Sequence, residues 1–201
     1  MLQSQAHLAS QQLIQRAQAG DDDAYNQLLA RAAERLVLYL RVRLGPRLRT
    51  RLDTMDVLQE TMIAAHKAFP GFDAQHSDAF FGWLCRIATN RIRDLADHFD
   101  AAKRRPPAPP ARISEVLEEI CARESGPASQ AVRGEATEQL LAALNQLADE
   151  EREVILLRYF EERTLDDIAE RLGRNISWVR RVLGRIVMEL GDQLGGHAEG
   201  S

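Results

Sequence analysis

LDDIAERLGRNISWVRRV, residues 165–182, reads as two short helices meeting across a tight turn. Ile168, Ala169 and Leu172 recur at helical spacing, Gly173 is the residue that enters positive φ at least cost, and Asn175 is suited to cap the helix that follows. Ile176, Val179, Leu183, Ile186 and Leu190 then continue an apolar stripe at steps of three and four. Ala169 is small where the two helices must cross closely, and Gly173 follows four residues later, where a DNA-reading helix-turn-helix needs its bend. The spacing predicts that the second helix enters a DNA major groove.

Charge supports that placement locally. The whole chain is mildly acidic, with 26 Lys+Arg against 30 Asp+Glu. From Arg171 to Met188, however, there are Arg171, Arg174, Arg180, Arg181 and Arg185 and no acidic residue, whereas Glu150, Glu151, Glu153, Glu161 and Glu162 lie upstream. A local basic patch of this kind is the footprint of phosphate contact on a domain kept soluble by acid elsewhere. The competing reading is a helical hairpin with a solvated charged face.

Working outward, a chain of 201 residues suits two small domains. Aromatic residues are only 5% and no run of alternating β-branched residues is present, so the fold class is all-α. No stretch of about eighteen apolar residues and no basic-then-apolar leader occurs, which excludes membrane insertion and predicts a cytoplasmic protein. Cys85 and Cys121 are far apart in helical patterns and are expected as reduced thiols. The five histidines have no metal-ligand spacing, and neither a nucleophile elbow nor a phosphate-cradling glycine loop is present. The expectation is a binding protein with no enzymatic activity, no catalytic residues, no cofactor and no metal.

Composition shifts at KRRPPAPPAR, residues 103–112, where four prolines within residues 106–110 prohibit helix and favour extension. A weak amphipathic piece, 113–124, is followed by another break at Ser125-Gly126-Pro127. The chain therefore divides into a helical domain over 1–100, a Pro-rich linker over 101–135, a helix-turn-helix domain over 136–194 and a tail over 195–201.

In the first block a helix is expected from Asp22 to Leu44, ended by Gly45-Pro46, with Asp22 and Asp23 favourably placed at its N-terminus. A second, from Thr54 to Phe69, gathers Met55, Leu58, Met62, Ala65 and Phe69 on one face and leaves Asp56, Gln59 and Glu60 on another. After the loop PGFDAQHSD a third helix buries Phe81, Leu84, Cys85, Ala88, Ile92 and Leu95, while Arg86, Asn90 and Arg93 project together from a separate face.

Three segments in order resemble bacterial sigma factors of the small, two-domain, extracytoplasmic-function (ECF) type of the sigma-70 family. DTMDVLQETMIAAHKAF is similar to the family's segment that docks on core RNA polymerase, FFGWLCRIATNRIRD to its promoter-melting segment, and LNQLADEEREVILLRYFEERTLDDIAERLG to the lead-in of its helix-turn-helix. The resemblance implies a non-enzymatic subunit that binds bacterial RNA polymerase core and directs promoter recognition, DNA opening and transcription initiation. It implies that Asp56 and Gln59, with Asp53 and Glu60 beside them, meet a basic coiled coil on the largest polymerase subunit. It also implies that Phe72 walls a pocket for an extruded base, Asn90 reads a base edge, and Arg86, Arg91 and Arg93 hold phosphates. Trp83 is assigned chiefly to core packing, with base stacking as the alternative, and Phe80 is ambiguous in the same way.

The upstream duplex element falls to the helix beginning at Ile176. Asn175, Ser177, Trp178 and Arg181 are candidates for base edges and Arg174, Arg180 and Arg185 for phosphates, although rotating the helix by one position exchanges the arginines. Trp178 either meets a thymine methyl or packs on the preceding helix. The run LADHFDAAKRR interposes Asp97, His98 and Asp100 where relatives carry a dense basic run, and Asn175 and Trp178 replace the small residues that commonly open the recognition helix. By family expectation the linker threads through the polymerase, the alternative being a plain tether, and a separate anti-sigma protein controls the factor. The competing function is a free-standing helix-turn-helix regulator with an N-terminal dimerisation or effector module, or a helical adaptor that ignores DNA.

Overall fold

The computed structural model describes residues 2–73, 79–98 and 134–195, and no strand occurs among them. Helix α1 spans Leu2–Gln18, α2 Asp22–Arg49, α3 Thr54–Ala68 and α4 Ala79–His98, with a 3-10 turn at Phe69–Gly71. In the second block α5 spans Gly134–Gln146, α6 Asp149–Ile155, a π turn Leu156–Phe160, α7 Leu165–Leu172 and α8 Ile176–Gly195. The Pro-rich linker, the 113–124 piece, Cys121 and most of the tail lie outside the described residues.

Helix α1 is an addition to the sequence reading, whose first expected helix begins at Asp22. Its Leu13, Ile14 and Ala17 are buried, and Gln18 donates from Nε2 to the Phe72 carbonyl at 2.7 Å. Gly20 at φ 92 turns the chain, and Asp21 caps α2 by accepting from the Ala24 N–H at 3.0 Å. Sparse apolar residues in a Gln-rich segment give a weak periodic signal, and packing on α2 supplies what propensity does not.

Helix α2 is the centre of the molecule. Buried pairs at 28/29, 32/33, 36/37 and 39/40 widen its apolar stripe until it serves several neighbours at once. It packs against α1, α3 and α4 on one side and against α5, α6 and the π turn on the other. Gly45, at φ 57 and ψ 176, interrupts it where Gly45-Pro46 was expected to end it, and Pro46 opens a last short turn to Arg49. A Cβ on Gly45 would lie 2.9 Å from the Arg152 guanidinium, so the glycine also permits close approach of the second block.

Helices α3 and α4 follow the expected registers. Leu58, Met62, Ala65 and Phe69 are buried with Met55 packed beside them, and Phe81, Leu84, Cys85, Ala88 and Ile92 are buried on α4. In the second block Leu141, Leu144, Val154, Ile155, Leu157, Ile168, Val179, Val182 and Ile186 close a small core. The two cores are continuous across α2, so the two helical blocks are packed on each other.

Candidate polymerase and nucleic-acid interfaces

The acidic face of α3 starts from its cap. One carboxylate oxygen of Asp53 accepts from the N–H groups of Met55 at 2.7 Å and Asp56 at 3.3 Å, so Asp53 has a structural task that the sequence reading did not assign. Asp56 is exposed one turn on, and Gln59 and Glu60 are half-buried beside it. The cap and the buried stripe on the opposite side hold these groups at fixed spacing on a rigid helix.

Phe72 is buried in an aromatic cluster rather than standing at an open pocket. Its ring lies 4.9 Å from Trp83, 5.7 Å from Phe80 and 5.9 Å from Phe69, centroid to centroid. Phe80 is buried as well, which resolves its ambiguity toward packing, and Trp83 is partly buried against the same rings. The aromatic run after α3 thus closes the end of the first block, and any base wall it offers is the rim of a packed cluster. Arg86, Asn90 and Arg93 project into solvent from α4. Arg91 differs from them: it is half-buried, pairs with Asp94 at 2.7 Å, and its buried Nε has no partner.

The helix-turn-helix is assembled by local chemistry. The Thr164 hydroxyl accepts from the Asp167 N–H at 3.1 Å, and the Asp167 carboxylate accepts from the Thr164 N–H at 3.2 Å, a reciprocal capping box that opens α7. The Thr164 hydrogen bonds hold the Asp167 carboxyl below its ordinary value. The TLDD spelling carries the signal for this box. Gly173 closes α7 in the left-handed region at φ 62, and the Asn175 side-chain oxygen accepts from the Trp178 N–H at 2.8 Å to start α8. Asn175 is therefore the cap it was expected to be, with that oxygen engaged. Trp178 packs partly buried against the domain core with the Arg174 guanidinium 5.2 Å from its ring.

The arginines of this domain divide in a way spacing could not show. Arg174 forms a two-pronged pair with Glu150, at 2.8 and 2.9 Å. These hydrogen bonds lower the Glu150 carboxyl and raise the Arg174 guanidinium. Arg185 pairs with Glu151 and with Glu189 at 3.0 Å, and Arg171 lies 3.6 Å from Glu153. Of the acids upstream of the motif, Glu150, Glu151 and Glu153 form a row on α6 that faces Arg174, Arg185 and Arg171, whereas Glu162 pairs with Arg35 of α2. Arg180 and Arg181 are exposed and have no ion pair with a described residue, and exposed Ser177 lies one turn before them on the same side of α8.

No cluster of metal-ligating side chains occurs among the described residues, and no described helix is long and apolar enough to cross a membrane.

Family models coincide with both blocks: Sigma-70 region 2 over residues 24–105 and Sigma-70, region 4 over residues 143–191. The chain is 32% identical over 175 residues to the RNA polymerase sigma-H factor of Pseudomonas aeruginosa, spanning 85% of this chain and 86% of that protein. It is 28% identical over 182 residues to the ECF RNA polymerase sigma factor SigD of Mycobacterium tuberculosis, spanning 90% and 82%. It is also 29% identical over 178 residues to the ECF RNA polymerase sigma-E factor of Haemophilus influenzae, spanning 86% and 88%. Among solved structures, CnrH in complex with the cytosolic domain of CnrY superposes with a TM-score of 0.50 at 26% identity, covering 94% of this chain and 98% of that one. With its capped helix-turn-helix behind a four-helix block, the chain belongs to the ECF group of the sigma-70 family, the factors that bind RNA polymerase core and direct it to promoters.

Proposed function

We propose a division of labour among three exposed faces. Asp56, Gln59 and Glu60 on α3, with Asp53 at its cap, dock the core enzyme. Asn90 with Arg86 and Arg93 on α4 engages the melted strand. The first turn of α8 reads the upstream duplex. The observation that carries this reading is the segregation of charge on rigid helices: the α3 face is acidic and the α4 and α8 faces are basic, all exposed or half-buried and backed by core. An acidic face suits a basic partner through steering and register, and a basic face suits phosphate.

Within α8, Arg180 and Arg181 are the first cations available to DNA because no described acid holds them, and Ser177 lies beside them for a base edge. Arg174 and Arg185 reach phosphate only by exchanging Glu150, Glu151 and Glu189 for it. Arg91 orders α4 through Asp94 rather than meeting phosphate directly. Phe72 supports the strand-capturing loop from inside the aromatic cluster. The protein supplies recognition and the polymerase supplies the chemistry, so the factor acts in the cytoplasm without a cofactor. A separate regulatory protein that sequesters it is the matching partner, in keeping with the solved relative bound to the cytosolic domain of CnrY.

The test is run-off transcription with purified bacterial core polymerase, with and without this protein, on genomic DNA. Discrete new start sites sharing two upstream motifs at fixed spacing are expected. Core that neither binds nor initiates anew, where a control sigma factor works, overturns the reading in favour of a free-standing regulator. Asp56→Arg with Gln59→Ala is expected to abolish co-purification with core while preserving the circular dichroism of the wild type. Asn90→Ala is expected to slow strand opening more than closed-complex formation.

A further inference from the structure

Five arginines lie between Arg171 and Arg185, and two of them, Arg180 and Arg181, have no ion pair with a described residue. The other three each meet a carboxylate of α6: Arg174 meets Glu150, Arg185 meets Glu151, and Arg171 lies 3.6 Å from Glu153. Asp166 and Glu170 of α7 stand much nearer in the sequence, yet neither pairs with these arginines. The partners of Arg174 and Arg185 are 24 and 34 residues away, so packing and not helix spacing chose them.

Arg174 stands between the Gly173 turn and the Asn175 cap, at the entrance to α8. Its backbone N–H is fixed to the Ala169 carbonyl at 2.9 Å, and its guanidinium lies 5.2 Å from the centre of the Trp178 ring. Its Nε and one terminal nitrogen donate to the two oxygens of Glu150, at 2.8 and 2.9 Å. A carboxylate held in this way and a phosphate ask for the same two parallel N–H groups of an arginine. Glu150 therefore fills the seat that a backbone phosphate takes. The shared hydrogen bonds hold the Glu150 carboxyl below its ordinary value and lift the Arg174 guanidinium above its own, so both are charged at neutral pH. Arg185 repeats the arrangement between two carboxylates, Glu151 and Glu189.

Neither arrangement is permanent. Arg174 and Glu150 are 49% and 39% exposed, so water and salt reach the pair, and half-exposed pairs are weak. A phosphate delivered to the guanidinium can displace the carboxylate. Phosphate contacts carry no sequence information, and five unopposed arginines would hold the domain on any duplex. With three of them engaged, sequence-blind attraction is left to Arg180 and Arg181. Arg174 and Arg185 change partner only where base contacts seat α8 so that a phosphate stands at each guanidinium.

We propose that Glu150 and Glu151 are specificity-determining residues: they stand in for DNA phosphate, withhold Arg174 and Arg185 from non-cognate duplex, and give them up on the correctly seated promoter element. The inference rests on the reading that α8 meets duplex DNA. The withholding does not involve polymerase and is measured without it.

Fluorescence anisotropy of the full chain on a labelled duplex of scrambled sequence, between about 0.05 and 0.2 M salt, reads the withholding. Glu150→Gln is expected to bind more tightly than the wild type and to steepen the slope of log affinity against log salt by about 0.9, the signature of one added phosphate contact. Glu150→Gln in an Arg174→Gln background is expected to show neither change, because the cation it would free is gone. The same variants, bound to core polymerase, are then titrated on a promoter carrying the paired motifs of the mapped start sites. There Glu150→Gln is expected to gain no more than about 5-fold, the worth of a half-exposed pair, and less than on scrambled DNA, so that discrimination falls. If Glu150 only braces α8, Glu150→Gln lowers the melting temperature and binds both DNAs more weakly, which overturns the proposal. An unchanged salt slope, or a gain that persists without Arg174, overturns it as well. Equal gains on the two DNAs overturn the role in specificity. Failure of the wild type to bind core counts against the sigma reading alone, and the scrambled duplex still decides the withholding.

Discussion

Replacing Asn175 by alanine separates the two tasks that this residue was given. The substitution removes the side-chain oxygen that accepts from the Trp178 N–H at 2.8 Å, while the Asn175 carbonyl keeps its bonds from Trp178 and Val179 at 3.1 and 3.3 Å. Loss of an Asn cap costs about 1 kcal/mol, within a range of about 0.5–2. For a chain of this size each kcal/mol lowers the melting temperature by about 2–4 °C. The same 1 kcal/mol is about a five-fold change in an equilibrium constant. If the cap is what holds the first turn of α8 in shape, promoter binding by the polymerase-bound factor therefore falls by about five-fold. Asn175→Ser keeps a capping oxygen and is expected to recover both quantities. The assays are thermal unfolding by circular dichroism and promoter binding on the wild-type and base-substituted upstream element. A melting temperature unchanged in Asn175→Ala refutes the cap. Recovery of melting temperature but not of promoter discrimination in Asn175→Ser shows that the side chain also reads a base.

Gly173→Ala forces a Cβ into the left-handed region at φ 62 with no neighbouring atom within 4 Å, so the expected loss is about 1–2 kcal/mol of pure backbone strain in urea unfolding, with Gly173→Asn losing less. Tyr39→Phe strips Glu161 of its hydroxyl partner and is expected to lose about 1.5–3 kcal/mol, while Thr89→Ala loses less, because the Tyr39 hydroxyl keeps Glu161. The carboxyls of Asp21, Asp167 and Glu150 are held below their ordinary values of 3.8 and 4.5, the first by the Ala24 N–H, the second by Thr164 and the third by Arg174. Folded values below unfolded ones give stability that is complete at neutral pH and lost as pH falls through the folded values, so melting temperature should be flat from pH 7 to 5 and drop below about 4. Burial pushes the Cys85 thiol upward, so in Cys121→Ser protein its alkylation at pH 8 should track unfolding rather than thiol exposure.

The elements with strong local signals were legible in advance. Helices α3 and α4 kept their expected faces because period-3.6 apolar spacing and burial are the same fact seen in one and in three dimensions. Gly173 and Asn175 fell where turn and cap chemistry put them, since both act within four residues. Helix α1 was not legible, because its stability comes from α2 and not from its own Gln-rich spelling.

The candidate site was legible in identity and not in occupancy. Spacing placed Arg174, Arg180, Arg181 and Arg185 on one short stretch, but which of them carries a carboxylate depends on α6 crossing beneath α7 and α8, 24 to 34 residues away for Arg174–Glu150 and Arg185–Glu151. Phe72 was assigned to a pocket wall and Phe80 was left between packing and base stacking, and only the way the first block closes its end shows both rings buried.

From its sequence alone this protein determined helices α3 and α4, the helix pair of the helix-turn-helix with its Gly173 turn and Asn175 cap, and its family, all of which rest on interactions within about a turn of helix or on motifs in order. Only the tertiary structure decided that Glu161 is buried, that the acids of α6 hold the arginines of the DNA-reading domain, and that α2 serves two cores at once. The physical reason is that a charge carries no record of its partner in the chain: an ion pair forms wherever folding brings opposite charges within a few ångströms, and that distance is set by packing.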